Sequence, residues 1–118
     1  MNTGTEIPPG YTFDPLNVTI PEHKIRKYLL NLCHPVGGSK AKFFLAGGFS
    51  DADWQMLDYA LKRHPIDNAV ESTQQNGFGA KFLVRCTVRT PDGRNPCILT
   101  VWMVDGPGAA RFVTALPG

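Results

Sequence analysis

Groups that can bind phosphate and exchange protons lie close together between residues 34 and 42. His34 precedes two consecutive glycines, and Ser39, Lys40 and Lys42 follow them. The glycines let a backbone approach a phosphate closely, and the serine and lysine side chains supply hydrogen-bond donors. Histidine exchanges protons near neutral pH. The segment therefore indicates acid–base chemistry on a phosphate, although a solvated connector after a helix has the same local sequence.

Cleavage of RNA without a metal ion needs this set of groups. A base deprotonates the 2′-hydroxyl, an acid protonates the leaving oxygen, and cations hold the charge that builds on the phosphate. Histidine suits the first two roles, and lysine or arginine suits the third.

Other sites are weaker candidates. The sequence has no GxGxxG, P-loop, GxSxG or HExxH motif. The acidic residues Asp51, Asp53 and Asp58 do not share one helical face and so do not form a metal site. We therefore expect no metal ion and no cofactor. His23 and His64 fall at predicted helix ends, where histidines are usually structural, and Cys33 next to His34 does not by itself make a thiolate pair.

The composition indicates one small globular domain. A chain of 118 residues with 42% hydrophobic residues can bury a core, and its net charge of +2 neither requires nor excludes a nucleic-acid partner. Three cysteines without CxxC spacing argue against a disulfide framework and a zinc site. Neither a membrane span nor a signal peptide is visible, so we expect a cytoplasmic protein or one carried by another protein.

Two helices should position the first candidate residues. Residues 1–18 are rich in Thr, Pro, Gly and Asn and predict an N-terminal arm, followed by a single domain over residues 19–118. Pro21 opens a helix that should end near Leu32, and the glycine-containing segment from His34 to Lys42 reads as a loop. A second helix is predicted over residues 51–63, ended by Pro65.

An antiparallel sheet should follow, with strands near residues 69–73, 80–89, 97–104 and 110–116. Thr90-Pro91-Asp92-Gly93 predicts a tight hairpin, which pairs even positions of one strand with odd positions of the next. One face then carries Phe82, Val84, Cys86 and Val88 with Cys97, Leu99, Val101 and Met103. The fold class expected is α+β, with two N-terminal helices packed on one face of a three- to four-stranded antiparallel sheet.

The opposite face should hold the remaining candidates. Arg85, Thr100 and Trp102 would form an open surface for phosphate and stacked bases, or a second small core under the arm or a partner. Arg111 and Thr114 on the last strand could join it, although the register of that strand is not fixed by the sequence.

Several runs resemble the signature of an uncharacterised bacterial domain family. The run from Leu29 to Phe44 is similar to the pattern YLLN…HP.GGSKAKFF, and TPDGR, a TVW triplet and an FVTALP ending follow at residues 90–94, 100–102 and 112–117. The resemblance covers about residues 16–117. Members occur alone and as C-terminal modules of polymorphic toxins, with an order of elements similar to the barnase–EndoU–colicin–RelE ribonucleases.

The resemblance implies a toxin-type ribonuclease and points to His34, Lys40, Lys42, Trp102 and Thr114. We take His34, Lys40 and Thr114 as catalytic candidates, with His34 as general acid or base. The candidate substrate-binding residues are Lys42, Ser39, Arg85, Thr100, Trp102 and Arg111. The expected partners are RNA and a cognate immunity or antitoxin protein. The alternative is a non-catalytic binding module, such as an immunity, antitoxin-like or phage accessory protein.

Overall fold

The computed structural model describes residue 11 and residues 17–76, 79–106 and 109–118. A short strand β1, Val18–Thr19, precedes helix α1, which begins as an α-helical turn at Glu22–Lys24 and continues as a π-helical stretch, Ile25–Leu29. Helices α2, Gly38–Ala46, and α3, Trp54–Asp67, follow. Four long strands complete the fold: β2, Val70–Asn76; β3, Gly79–Thr87; β4, Cys97–Gly106; and β5, Ala109–Pro117. None of these helices is long and apolar enough to span a membrane.

The five strands form one mixed sheet in the order β1-β5-β4-β3-β2. β2 to β5 are antiparallel neighbours, and β1 adds to the outer edge of β5 in parallel orientation. The α+β class is confirmed. The element count is not, because the described residues form three helices and a five-stranded sheet in place of two helices and three or four strands.

The helical predictions differ from the structure at three points. α1 ends at Leu29, because the Leu30 N–H bonds the Ile25 carbonyl at 2.9 Å and closes a wide turn. The predicted loop becomes helical at Gly38. Pro65 lies inside α3 and does not end it, since the φ of proline is compatible with a helix and the last turn is closed by the Asn68 N–H on the His64 carbonyl at 3.1 Å.

The predicted pairing of β3 with β4 was wrong by one residue, so the face of β4 was reversed while Phe82 and Val84 of β3 lie in the core as expected. β3 and β4 pair even positions with even positions, with Phe82 opposite Trp102 and Val84 opposite Thr100. The reason is the connection: Gly93 does close a turn onto Thr90, but that turn belongs to a longer loop between Thr87 and Cys97.

The face under the helices carries Phe82 and Val84, as predicted. It also carries Ile98, Thr100 and Trp102, which were expected on the open face, and Phe112 and Ala115 of β5. Cys86, expected in the core, is exposed instead. Its φ of 145° interrupts the alternation of buried and exposed residues along β3.

The predicted N-terminal arm lies mostly outside the described residues. Within it, the Tyr11 carbonyl accepts the Val70 N–H at 3.0 Å.

A buried hydrogen-bond chain fixes α3 on this face. The Trp102 Nε1–H donates to the Thr100 hydroxyl at 2.9 Å, and the same hydroxyl lies 2.8 Å from His64 Nδ1. His64 Nε2 lies 2.9 Å from the Cys86 carbonyl. A carbonyl only accepts, so Nε2 carries the proton and Nδ1 accepts from Thr100. Burial lowers the pKa of His64, which keeps the ring neutral in this role.

Thr100→Val should destabilise the protein, because it leaves the Trp102 N–H and His64 Nδ1 buried without partners. We expect a loss of about 2–4 kcal/mol in the free energy of unfolding, measured with urea. Thr100→Ser keeps the hydroxyl and should lose only about 1 kcal/mol for the missing methyl. A valine variant as stable as wild type would contradict the role assigned to the hydroxyl.

Candidate functional site

Three side chains from separate parts of the chain meet at one point between α1, α2 and β5. The Tyr28 hydroxyl of α1 lies 3.2 Å from the Thr114 hydroxyl of β5. Lys40 Nζ of α2 donates to the Tyr28 oxygen and, at 3.3 Å, to the Thr114 oxygen. All three side chains are half-buried, so the cluster is held by packing and still reaches solvent.

A second lysine borders the cluster at the edge of the sheet. Lys24 Nζ donates to the Val113 carbonyl at 3.1 Å. Val113 is an extra residue in β5, because Phe112 pairs with Trp102 and Thr114 pairs with Val101, which leaves Val113 without a partner residue in β4. Such a bulge redirects side chains locally. The bulge thus offers an edge carbonyl to Lys24 and sets the place of the Thr114 hydroxyl.

The two ammonium groups change the acidity of the phenol between them. Lys40 Nζ lies 4.9 Å and Lys24 Nζ 5.7 Å from the centre of the Tyr28 ring. Partial burial acts to raise the pKa of Tyr28, but the hydrogen bonds from Lys40 and Thr114 and the charges of both lysines outweigh it. The net result is a pKa below the ordinary 10.0. The phenolate is therefore easier to form here than on a free tyrosine.

His34 also contacts the Tyr28 ring, edge to face, with ring centroids 5.1 Å apart. Its Nδ1 accepts the backbone N–H groups of Val36 at 3.0 Å and Gly37 at 2.8 Å. Gly37 in turn packs so closely on Tyr28 that a Cβ at this position would lie 2.5 Å from the Tyr28 carbonyl oxygen. The turn before α2 is thus fitted to Tyr28 and has no room for a side chain at residue 37.

The predicted catalytic residues His34, Lys40 and Thr114 are therefore brought together around Tyr28. Neither Tyr28, whose spacing from Ile25 and Leu29 is also that of a core residue, nor Lys24 was selected from the sequence. Their separation of four residues on one helix, with a hydroxyl beside an ammonium group, is a signal that the sequence did contain.

The predicted substrate-binding residues do not join this cluster. Ser39 and Lys42 are exposed on α2. Arg85 pairs with Glu71 of β2 at 2.9 Å. Arg111 is exposed on β5, opposite Met103. Thr100 and Trp102 are fully buried, so the expectation that they line an open surface is wrong.

The weaker candidates lie apart as well. His64 belongs to the core hydrogen-bond chain, and Cys33 is exposed. His23 lines a groove of about 600 Å³ beside α1, together with Arg26 and Lys27. Arg26 is already paired there with Glu22 at 3.1 Å and Asp51 at 3.0 Å. Because the charge of Arg26 is already neutralised by two carboxylates, we place the chemistry at Tyr28.

Lys40→Met should raise the pKa of Tyr28, because it removes both a hydrogen bond and a nearby positive charge while the partial burial remains. The ionisation of tyrosine is followed by its ultraviolet absorbance as the pH rises, with Tyr28→Phe identifying the contribution of Tyr28. Lys42→Met, a change of the same kind on the same helix, should leave the titration as in wild type. An unchanged titration in Lys40→Met would show that the contact with Lys40 is not formed in solution.

Comparisons with known proteins place the chain by family and by fold. No curated protein matches the sequence. The structure is similar to a chain of the "Contact-dependent growth inhibition toxin - immunity protein complex from Klebsiella pneumoniae 342", with a TM-score of 0.68 and 14% sequence identity, covering 84% of this chain and 98% of that one. At this identity the similarity concerns the fold alone. The sequence matches "Domain of unknown function (DUF6883)" over residues 14–118, and the chain therefore belongs to the DUF6883 family.

Proposed function

We propose that the protein is a toxin-type, metal-independent endoribonuclease whose reacting groups are Tyr28, Lys40 and Thr114. The observation that carries the proposal is their convergence from three separate segments onto one phenol oxygen. A phenol of lowered pKa, an ammonium group and a hydroxyl are together able to move a proton and hold an oxyanion.

The charge of the site supports a phosphate substrate. Six of the basic residues pair with carboxylates: Arg26, Lys62, Arg63, Arg85, Arg89 and Arg94. Among the described residues, no carboxylate forms an ion pair with Lys24 or Lys40. Their charges act on uncharged oxygen atoms, so an anion that enters the cluster meets two cations that are not already neutralised.

The proposed reaction is a transesterification within the RNA strand. The Tyr28 phenolate takes the proton of a ribose 2′-hydroxyl, and the 2′-oxygen bonds to the adjacent phosphorus. Lys40 and the Thr114 hydroxyl hold the charge on the non-bridging oxygens as the bond to the 5′-oxygen breaks. The Lys40 ammonium group donates a proton to the leaving 5′-oxygen, and the Tyr28 hydroxyl then passes the proton it took to Lys40 through their hydrogen bond. The products are a 2′,3′-cyclic phosphate and a 5′-hydroxyl.

The fold comparison bears on the biological role of the proposed activity. The similar structure is named as part of a growth-inhibition toxin–immunity protein complex. The name of that complex does not say whether the similar chain is the toxin or the immunity protein, so the fold agrees with either role. Because of the Tyr28 site, we propose that this domain is the toxin of such a pair and has a cognate protein partner.

The second candidate function is a non-catalytic binding module, such as an immunity protein. Its support is not Trp102, which is buried, but the exposed side of α3. Met56 and Tyr59 are 49% and 62% exposed and border a groove of about 380 Å³ that Phe49 and Pro91 also line. Exposed apolar side chains beside a groove are common at protein interfaces.

Growth of bacteria on induced expression, with total RNA separated on a gel, tests the enzyme proposal. Wild type should arrest growth and degrade RNA. Tyr28→Phe should lose about 10²–10⁴-fold in the cleavage rate of the purified protein, because it removes only the proposed base, and Lys40→Met should lose about 10²–10³-fold.

The comparison of the variants with wild type needs two controls. Circular dichroism checks that each variant is folded. Tyr59→Phe, which removes an exposed hydroxyl from α3, should behave as wild type. If wild type and all variants grow alike with intact RNA, the enzyme proposal is wrong and the binding module becomes the better account.

A further inference from the structure

We infer that His34 is a positioning residue that holds the first turn of α2, and through it Lys40, against Tyr28. The predicted effect of His34 on RNA cleavage rests on the proposed function. Its predicted effect on the pKa of Tyr28 does not. The positioning role replaces the general acid or base role that the sequence suggested for His34.

The hydrogen bonds of the His34 ring fix which of its nitrogens carries the proton. Both hydrogen bonds of His34 Nδ1 come from backbone N–H groups, those of Val36 and Gly37. An N–H group only donates, so Nδ1 must present its lone pair, and the proton of the neutral ring lies on Nε2. With its lone pair occupied, Nδ1 cannot take a proton from a substrate without releasing the turn.

The same residue supplies a second acceptor to α2. The His34 carbonyl accepts the Gly38 N–H at 3.0 Å, and the Gly37 carbonyl accepts the Ala41 N–H at 2.9 Å. The first N–H groups of a helix have no partners within the helix and need such acceptors. His34 therefore satisfies three consecutive N–H groups, those of residues 36, 37 and 38, immediately before Lys40 enters the helix.

The position of this turn decides the reach of Lys40. Gly37 lies in close contact with Tyr28, and Lys40 is the third residue of α2. Any shift of the turn moves Gly37 away from the ring and carries the Lys40 side chain with it. Because Lys40 bonds both Tyr28 and Thr114, the loss of the His34 acceptor would loosen the whole cluster.

Two amide substitutions separate the two ring nitrogens. In His34→Asn, the side-chain oxygen is placed as far along the side chain as Nδ1 and can accept the same backbone N–H groups, as asparagine does in turns. In His34→Gln, the amide reaches the place of Nε2 and leaves that of Nδ1 without an acceptor. We expect the asparagine variant to cleave RNA near the wild-type rate and the glutamine variant to lose about 100-fold, the usual effect of a displaced catalytic group.

Activity in both variants would overturn the inference, because the acceptor at the place of Nδ1 would then not be needed. Activity in His34→Gln but not in His34→Asn would overturn the inference in favour of a substrate contact through Nε2. Loss of activity in both variants, with the fold intact by circular dichroism, would overturn it in favour of a proton-transfer role.

The ionisation of Tyr28 keeps the test independent of activity. His34→Asn should retain the lowered pKa of Tyr28, whereas His34→Gln should raise it as Lys40 moves away. If wild type does not cleave RNA, the proposed function fails, but this spectroscopic difference still supports or rejects the positioning role. An identical titration in the two variants would reject it.

Discussion

The Tyr28 hydroxyl is the point on which the arrangement of α1, α2 and β5 depends. It is bonded by Lys40 from one helix and lies beside Thr114 from the last strand, so it joins segments that are far apart in the sequence. Three local irregularities meet there. α1 widens into a π-helical stretch, β5 takes an extra residue at Val113, and Gly37 leaves no space for a side chain. Irregularities of the first two kinds are frequent at functional sites.

The cluster is not arranged for stability alone. A half-buried ammonium group loses part of its hydration, and a carboxylate partner is the usual compensation. Lys40 has neutral hydroxyl partners instead, although the same protein pairs six of its other cations with carboxylates within the described residues. A cation held this way lowers the pKa of Tyr28 and remains available to an incoming anion. The binding-module alternative explains the exposed side of α3 but gives no reason for this cluster.

The sequence predicted features that depend on residues near one another in the chain, and it failed for features that depend on contacts between distant segments. Local signals gave the α+β class, the existence of α3 and the long strands β3 to β5. They failed for Trp102 because its face depends on pairing across a loop, and a change of one residue in register moves every side chain to the other face. The family resemblance pointed to five residues. His34, Lys40 and Thr114 meet around Tyr28, whereas Lys42 is exposed on α2 and Trp102 is buried in the core. The resemblance did not select Tyr28. The apolar ring of Tyr28 packs against the core while its hydroxyl lies in the site, and only the packed structure shows this role of the hydroxyl.

The chemical ends of cleaved RNA test the central claim most directly. The account predicts that the purified protein, in the presence of a chelator, produces 2′,3′-cyclic phosphate and 5′-hydroxyl ends, because the attacking oxygen is the neighbouring 2′-oxygen and the charge is held by Lys40. Ends carrying a 5′-phosphate and a 3′-hydroxyl, or cleavage that stops when the chelator is added, would contradict it.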